Sequence, residues 1–206
     1  MMAGSHGSAG LVEVLSAPSP SVARRLLGST FSHAGVTVRL TEVEAYDGEA
    51  DPASHAYRGR TPRNAVMFGP PGRLYVYFSY GMHHAATLVC GPVDRASAVL
   101  LRAGEVVDGI ELAEQRRRTT DPDRLGRGPG NLAQALGLTL ADNGAEPGIG
   151  FDWNPAPRPV RRVSRGPRVG VSQAADRLWR WWITGALSVS AYRRSPRAPR
   201  SAGSLD

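Results

Sequence analysis

The chain has 206 residues, 41% of them hydrophobic and 21% charged, which suits one domain with a core that needs no covalent staples. Its 25 basic residues against 18 acidic ones give a net charge of +7, and every basic residue is an arginine. With no lysine there is no Schiff-base side chain, with no apolar run near roughly 18 residues there is no membrane helix, and with Cys90 alone there is no internal disulfide.

Residues 1–10 (MMAGSHGSAG) and 195–206 read as disordered tails around a single domain at 11–194. The first tail is small and polar, without a signal-peptide core, so the cytoplasm is the default location, close to the nucleoid in a prokaryote. A helix is predicted from Ser19-Pro20 to Gly28, with proline at its entry and glycine at its exit. Next, Val36-Thr37-Val38-Arg39-Leu40 alternates as a half-buried strand does. Continued alternation puts Val36, Val38 and Leu40 on one face with Glu42, Glu44 and Tyr46, so an apolar face runs into two carboxylates before Asp47-Gly48 ends the strand. Residues 49–72 then form a connection long enough to suggest function.

"RLYVYFSY" (73–80) and "HHAATLVC" (83–90) flank Gly81-Met82 as a hairpin. "SAVLLRA" (97–103) is a strand, "VDGIELAEQRRR" (107–118) a helix and "GPGNLAQALGL" (128–138) a second short helix. Later strands are predicted at 168–172, 178–185 and in "LSVSA" (187–191). Strands with interspersed helices and no βαβ rhythm predict an α+β domain on a curved antiparallel sheet.

Few stretches offer chemistry. On a strand, Tyr75 and Tyr77 point one way and Phe78 and Tyr80 the other; Tyr75 and Phe78 read as ordinary strand formers, whereas Tyr80 beside Gly81 at the hairpin tip reads as a wedge or stacking platform. The histidines, His6, His33, His55, His83 and His84, show no HxxxH or HxxE spacing, so no metal site and no cofactor are expected. There is no GxSxG elbow, and "GRGPGN" (126–131) lacks GxGxxG order. Arginines cluster at Arg58, Arg60 and Arg63, at 116–118, and at Arg158, Arg161, Arg162, Arg165 and Arg168. With the aromatics and the net charge they make nucleic acid the leading partner class.

"TEVEAYDGEADPASHAYRGRTPRNAVMFGPPGRLYVYFSYGMHH", "AVLLRA", "GPGNLAQALGL" and "PRVGVSQAADRLWRWWITGALSVSAYRR" together resemble the alkyladenine (3-methyladenine) DNA glycosylase family, in that family's order and across roughly residues 20–194. The resemblance implies a compact domain with a curved, open-barrel-like antiparallel sheet, surrounding helices and a protruding β-hairpin that enters the DNA minor groove. It also implies an enzyme that flips a damaged purine (3-methyladenine, 7-methylguanine, hypoxanthine or ethenoadenine) out of double-stranded DNA and hydrolyses its N-glycosidic bond in base excision repair. In its terms Glu44, from the E-x-E-A-Y pattern, is the general base for the attacking water. Arg102 and the Val169 carbonyl help hold that water. Tyr46 and His55 line one side of the base pocket and Tyr77 the other, Tyr80 fills the gap left by the flipped nucleotide, and Glu42 has a supporting role at most. Thr87 stands where the family usually has an asparagine linked to discrimination at the purine edge, so selectivity is expected to relax or shift.

Physical costs agree with that reading. Flipping costs a few kcal/mol, and stacking returns about 1–3 kcal/mol per base. A monofunctional DNA glycosylase, working as a monomer and without a membrane partner, is therefore expected. A non-catalytic binder of damaged or distorted nucleic acid would share Tyr80 but has no use for Glu44 with Arg102, and a general nucleic-acid module would not prefer a lesion.

Overall fold

A computed structural model describes residues 12–79 and 81–199. Tyr80, His6, the tail at 1–10 and residues 200–206 of the second tail lie outside the described residues. The centre of the fold is β2 (Val36–Tyr46), whose valines and threonines suit a pleated, buried surface. One edge of β2 pairs along its length with β5 (Ala98–Asp108). Its other edge is shared: β1 (Thr30–His33) pairs with Val36 to Arg39, and β8 (Arg180–Ile183) pairs with Glu42 to Glu44. Beyond β5 lie β4 (His83–Val89) and then β3 (Leu74–Ser79); beyond β1 lies β6 (Asp152–Asn154); and β7 (Val163–Gly166) flanks β8. All these pairings are antiparallel, and the eight strands curl into a half-barrel.

Helices close the core against this sheet. The predicted first helix is α1 (Ser19–Leu26), which buries Val22, Ala23 and Leu26. After β5 come α2 (Ile110–Arg117), α3 (Pro122–Leu125) and α4 (Pro129–Leu136), the last burying Leu132, Ala133, Ala135 and Leu136. Phe31 of β1 stacks on Phe151 with ring centroids 4.7 Å apart, sealing the β6 end. Cys90 is buried in this core, and burial pushes its thiol up to about 12, so it is an unreactive packing residue.

The strict alternation expected of β2 does not survive. Its register against β5 slips three times: Thr37 faces Asp108 but Val38 faces Val106, Leu40 faces Gly104 but Glu42 faces Ala103, and Val43 then faces Leu101. Thr41 is the extra residue on β2 and Arg102 the extra residue on β5. An inserted residue turns the following side chains over. Val36, Val38 and Leu40 face the core, but beyond Thr41 the core takes Val43 and Ala45. Glu42 and Glu44 therefore sit on the opposite face, beneath the C-terminal segment. The acids are not aimed into the hydrophobic core.

Three other expectations are corrected. Val107 and Asp108 belong to β5, and the helix starts only at Ile110, because Gly109 turns the chain in the left-handed region at φ 69° where its backbone meets Gly35. Residues 168–172 and 187–191 form no strands; the strands of this region are β7 at Val163–Gly166 and β8 at Arg180–Ile183. Their polar groups are committed elsewhere. The Val169 and Ser190 amides donate to carboxylates of β2, the Gly170 amide donates to the Arg193 carbonyl, and the Ser188 hydroxyl bonds that of Thr41. Amides donated to side chains leave no ladder for a strand to join. β1, β6 and α3 are additions to the predicted elements; each is only three or four residues long, too short to show a period.

Candidate active site

At the end of β2 furthest from β1, the sheet, the 49–72 connection and the 169–172 turn surround a cleft of about 370 Å³. Tyr46, His55, Tyr77, Thr87, Arg102 and Val169 all line it. Among the described residues expected at the site, only Glu44 is not part of its walls. Glu44 lies directly beneath, with no solvent exposure. Its Oε1 accepts a 2.7 Å hydrogen bond from the Val169 amide and faces Arg102 Nη1 at 3.4 Å, while its Oε2 accepts from the Tyr46 hydroxyl at 2.9 Å. Three residues of the cleft floor thus touch the carboxylate. Val169 makes this contact with its N–H.

Arg102 owes its position to the β5 irregularity, the usual device by which a strand re-aims one side chain. Its Nε donates to Glu42 Oε1 at 2.9 Å and its Nη2 to Ser190 Oγ at 3.0 Å, leaving Nη1 for Glu44. Burial alone would lower the basicity of this guanidinium, but Glu44 and Glu42 outweigh burial and raise it. Tyr46 is shifted the same way, burial first and the Glu44 charge second, so its phenol stays protonated and donates.

The aromatic wall is denser than expected. Tyr75, read from sequence as a plain strand former, stacks on Tyr77 with centroids 5.5 Å apart, and its hydroxyl lies 3.4 Å from His55 Nδ1. His55 meets Tyr77 edge-on, centroids 4.6 Å apart at 78°. Asn64 holds the connection that carries His55, its Nδ2 donating to the His55 and Gly59 carbonyls at 3.0 and 3.1 Å. Phe78 is not packed inside; it lies exposed at the mouth of the cleft, beside His84. Desolvation of the ring, and then Arg63, lower the His55 pKa, so His55 is neutral at physiological pH. In an NMR titration His55 should lose its proton below the ordinary value of 6.5. Removing the charge in Arg63→Ala should move that midpoint upward; an unchanged midpoint would discount the arginine.

Sequence reasoning misses two residues. Arg168, grouped by sequence with the phosphate-facing arginines, is 1% exposed. It forms a two-pronged pair with Asp51, Nη1 to Oδ2 and Nη2 to Oδ1, and its Nη1 also donates to the Ala45 carbonyl at 3.1 Å. Its guanidinium lies 4.6 Å from the Tyr46 ring centroid and 5.3 Å from that of Trp179. The pair ties the turn carrying Val169 to the connection carrying His55. Nothing in the local sequence marks it, because the partners lie more than a hundred residues apart. Arg116 and Arg117 are also not free for phosphate: Arg116 donates to the Ala135 and Ala34 carbonyls and Arg117 to that of Leu125. His33 is likewise structural, bonded to the Leu136 carbonyl and to Asp142.

The cleft thus combines a buried carboxylate ringed by donors with tyrosine walls, on a strongly basic chain. Residues 13–187 match the Methylpurine-DNA glycosylase (MPG) family, and the chain belongs to that family of DNA glycosylases. It is similar to proteins named as candidate 3-methyladenine DNA glycosylases. One from Nocardia farcinica is 55% identical over 202 residues, covering 93% of this chain and 95% of the relative. One from Mycobacterium tuberculosis is 52% identical, covering 91% and 96%, and one from Rhodococcus jostii is 56% identical, covering 85% and 82%. Among the described residues no helix is long and apolar enough to cross a membrane.

Proposed function

We propose that this glycosylase is monofunctional, takes a damaged purine nucleotide from duplex DNA into the cleft, and hydrolyses its N-glycosidic bond with Glu44 as general base. The observation that carries the reading is the placing of Glu44 against Arg102 and Val169 under the Tyr46–Tyr77 walls. Glu44 accepts a proton from a water whose oxygen bonds to the anomeric carbon, and the glycosidic electron pair leaves with the base. Arg102 and Val169 face the oxygen of Glu44 that the water must approach. A cationic alkylated purine departs neutral, so no second acid is required; hypoxanthine needs a hydrogen bond or proton at its ring. The buried charges act in a site from which bulk water is excluded, where they are strongest.

Stacking on Tyr46 and Tyr77 at about 1–3 kcal/mol per base offsets the few kcal/mol of flipping. His55 and Tyr77 already touch, whereas a base stacked between two rings needs about 7 Å between them. The purine therefore lies along Tyr77 with His55 at its edge. Thr87, whose hydroxyl reaches the Tyr75 carbonyl at 3.4 Å, contributes a short wall at the far side. The β3–β4 hairpin supplies the wedge: Gly81 is in the left-handed region with open space around it, Met82 beside it is 68% exposed, and Tyr80 precedes both.

The test is base release from duplexes carrying 3-methyladenine, 7-methylguanine, hypoxanthine or ethenoadenine, with chromatography of the freed base and a gel for strand breaks. Free base from at least one lesion, with the abasic strand unbroken, is the expected result; release from none of them refutes the reading. Thr87→Asn run alongside should re-rank the lesions.

A further inference from the structure

Glu42 and Ser190 lie outside the cleft, yet both bind the arginine that faces Glu44. Glu42 is fully buried and accepts four hydrogen bonds: from Arg102 Nε at 2.9 Å, Arg180 Nη1 at 3.2 Å, the Ser190 amide at 2.8 Å and the Ser190 hydroxyl at 2.9 Å. Ser190 Oγ in turn accepts from Arg102 Nη2 at 3.0 Å. Arg180 is held from its other side by the ring of Trp182, 4.3 Å from its carbon, so it is not free to exchange places with Arg102.

From this geometry we infer that Glu42 and Ser190 are positioning residues that clamp Arg102, setting which single edge of its guanidinium meets the catalytic carboxylate. The inference rests on the reading of Glu44 as general base. A guanidinium is a rigid fork of five N–H donors, and a carboxylate opposite it prefers a two-pronged pair. Nothing in Arg102 itself prevents such a pair with Glu44. The clamp does: with Nε and Nη2 committed, only Nη1 points at Glu44, at 3.4 Å, longer than a good hydrogen bond. Glu44 keeps lone-pair space at Oε1 for a water proton, and Arg102 keeps N–H groups for the water oxygen. Charge balance adds to this. Two arginines and two glutamates share the buried cluster, and Glu42 compensates the half of it remote from the cleft. Without Glu42, both cations would depend on Glu44, and Arg102 would turn onto it.

The C-terminal segment supplies an internal control. Ser188 ties the same segment to β2 through a 2.8 Å hydroxyl bond to Thr41, but its hydroxyl is not among the hydrogen-bond partners of Arg102 or Glu42. If Ser190 were only an anchor, the two serines would be interchangeable in effect.

The experiment measures single-turnover base release at saturating enzyme, lesion-duplex Kd and thermal midpoint for wild type, Ser190→Ala, Ser190→Thr, Glu42→Gln and Ser188→Ala. Expected are a rate about tenfold lower in Ser190→Ala and about 10–100-fold lower in Glu42→Gln, with Kd within about twofold, since the two hydrogen bonds of one hydroxyl are at stake in the first and a charge in the second. Ser190→Thr, which keeps the hydroxyl, should recover most of the rate, and Ser188→Ala should lose midpoint but not rate. Equal rates for Ser190→Ala and wild type overturn the clamp while leaving Glu44 as base. Parallel losses of rate in both serine variants make the segment a mere anchor. Should Glu42→Gln fail to fold, Ser190→Ala and Ser190→Thr decide alone. A wild type that releases no base overturns the underlying reading, and the clamp with it.

Discussion

Glu44→Gln should bind a lesion duplex with an affinity close to that of wild type and release base about 10²–10⁴-fold more slowly, the span over which a general base contributes. The substitution is nearly isosteric. A glutamine carbonyl at Oε1 still accepts from Val169 N–H, and the Tyr46 hydroxyl can turn to accept from the amide where it now donates. Stacking on Tyr46 and Tyr77 is therefore retained, and only the proton acceptor is lost. The variant also leaves the buried Arg102–Arg180 cluster with Glu42 as its one carboxylate, so some stability should be lost as well. Binding and release must for that reason be measured at a temperature where both proteins are folded. Release at a wild-type rate would remove Glu44 from the mechanism.

Breaking the Arg168–Asp51 pair should cost about 3–5 kcal/mol in urea unfolding, because each partner would leave the other charged and buried. Neither side chain has any exposed surface. Burial lowers the basicity of the Arg168 guanidinium, but Asp51, together with Tyr46 and Glu44, outweighs burial and raises it. Asp51→Asn and Arg168→Met each remove one partner; the double variant should be less destabilised than the sum of the two, by more than about 1 kcal/mol. Additive losses would mean that the pair is not the energetic unit the geometry describes. Activity should follow stability here. Arg168 carries Val169 against Glu44 and underlies the Tyr46 ring, so loosening it moves two walls of the cleft at once.

Much of the strand order along the chain is legible in the sequence, because β2, β3, β4 and β5 are long enough to show alternation and turn residues. Tyr75 and Tyr77 sharing a face is a matter of period two, and their stacking agrees with it. The short elements β1, β6 and α3 carry no such signal. The stretches 168–172 and 187–191 mislead in the other direction, since their sequences suit a ladder but their amides are taken by Glu44 and Glu42. Arginine clusters mislead for a related reason. Charge composition counts Arg116, Arg117 and Arg168 alike with exposed arginines, while the fold spends them on carbonyls and on Asp51.

The stretch from Glu42 to Tyr46 separates what each level decides. By itself the sequence determined that two carboxylates and an aromatic lie two residues apart on one side of a strand, and the resemblance chose Glu44 among them. Only the tertiary structure decided which side that is. One extra residue at Thr41 turns β2 over, so Val43 and Ala45 fill the core and Glu42 and Glu44 face the C-terminal segment, and another at Arg102 shifts the partner strand beside them. A register slip depends on the partner strand, and a carboxylate's donors come from residues 102, 169 and 190, far away along the chain. Period is local; pairing and charge compensation are not.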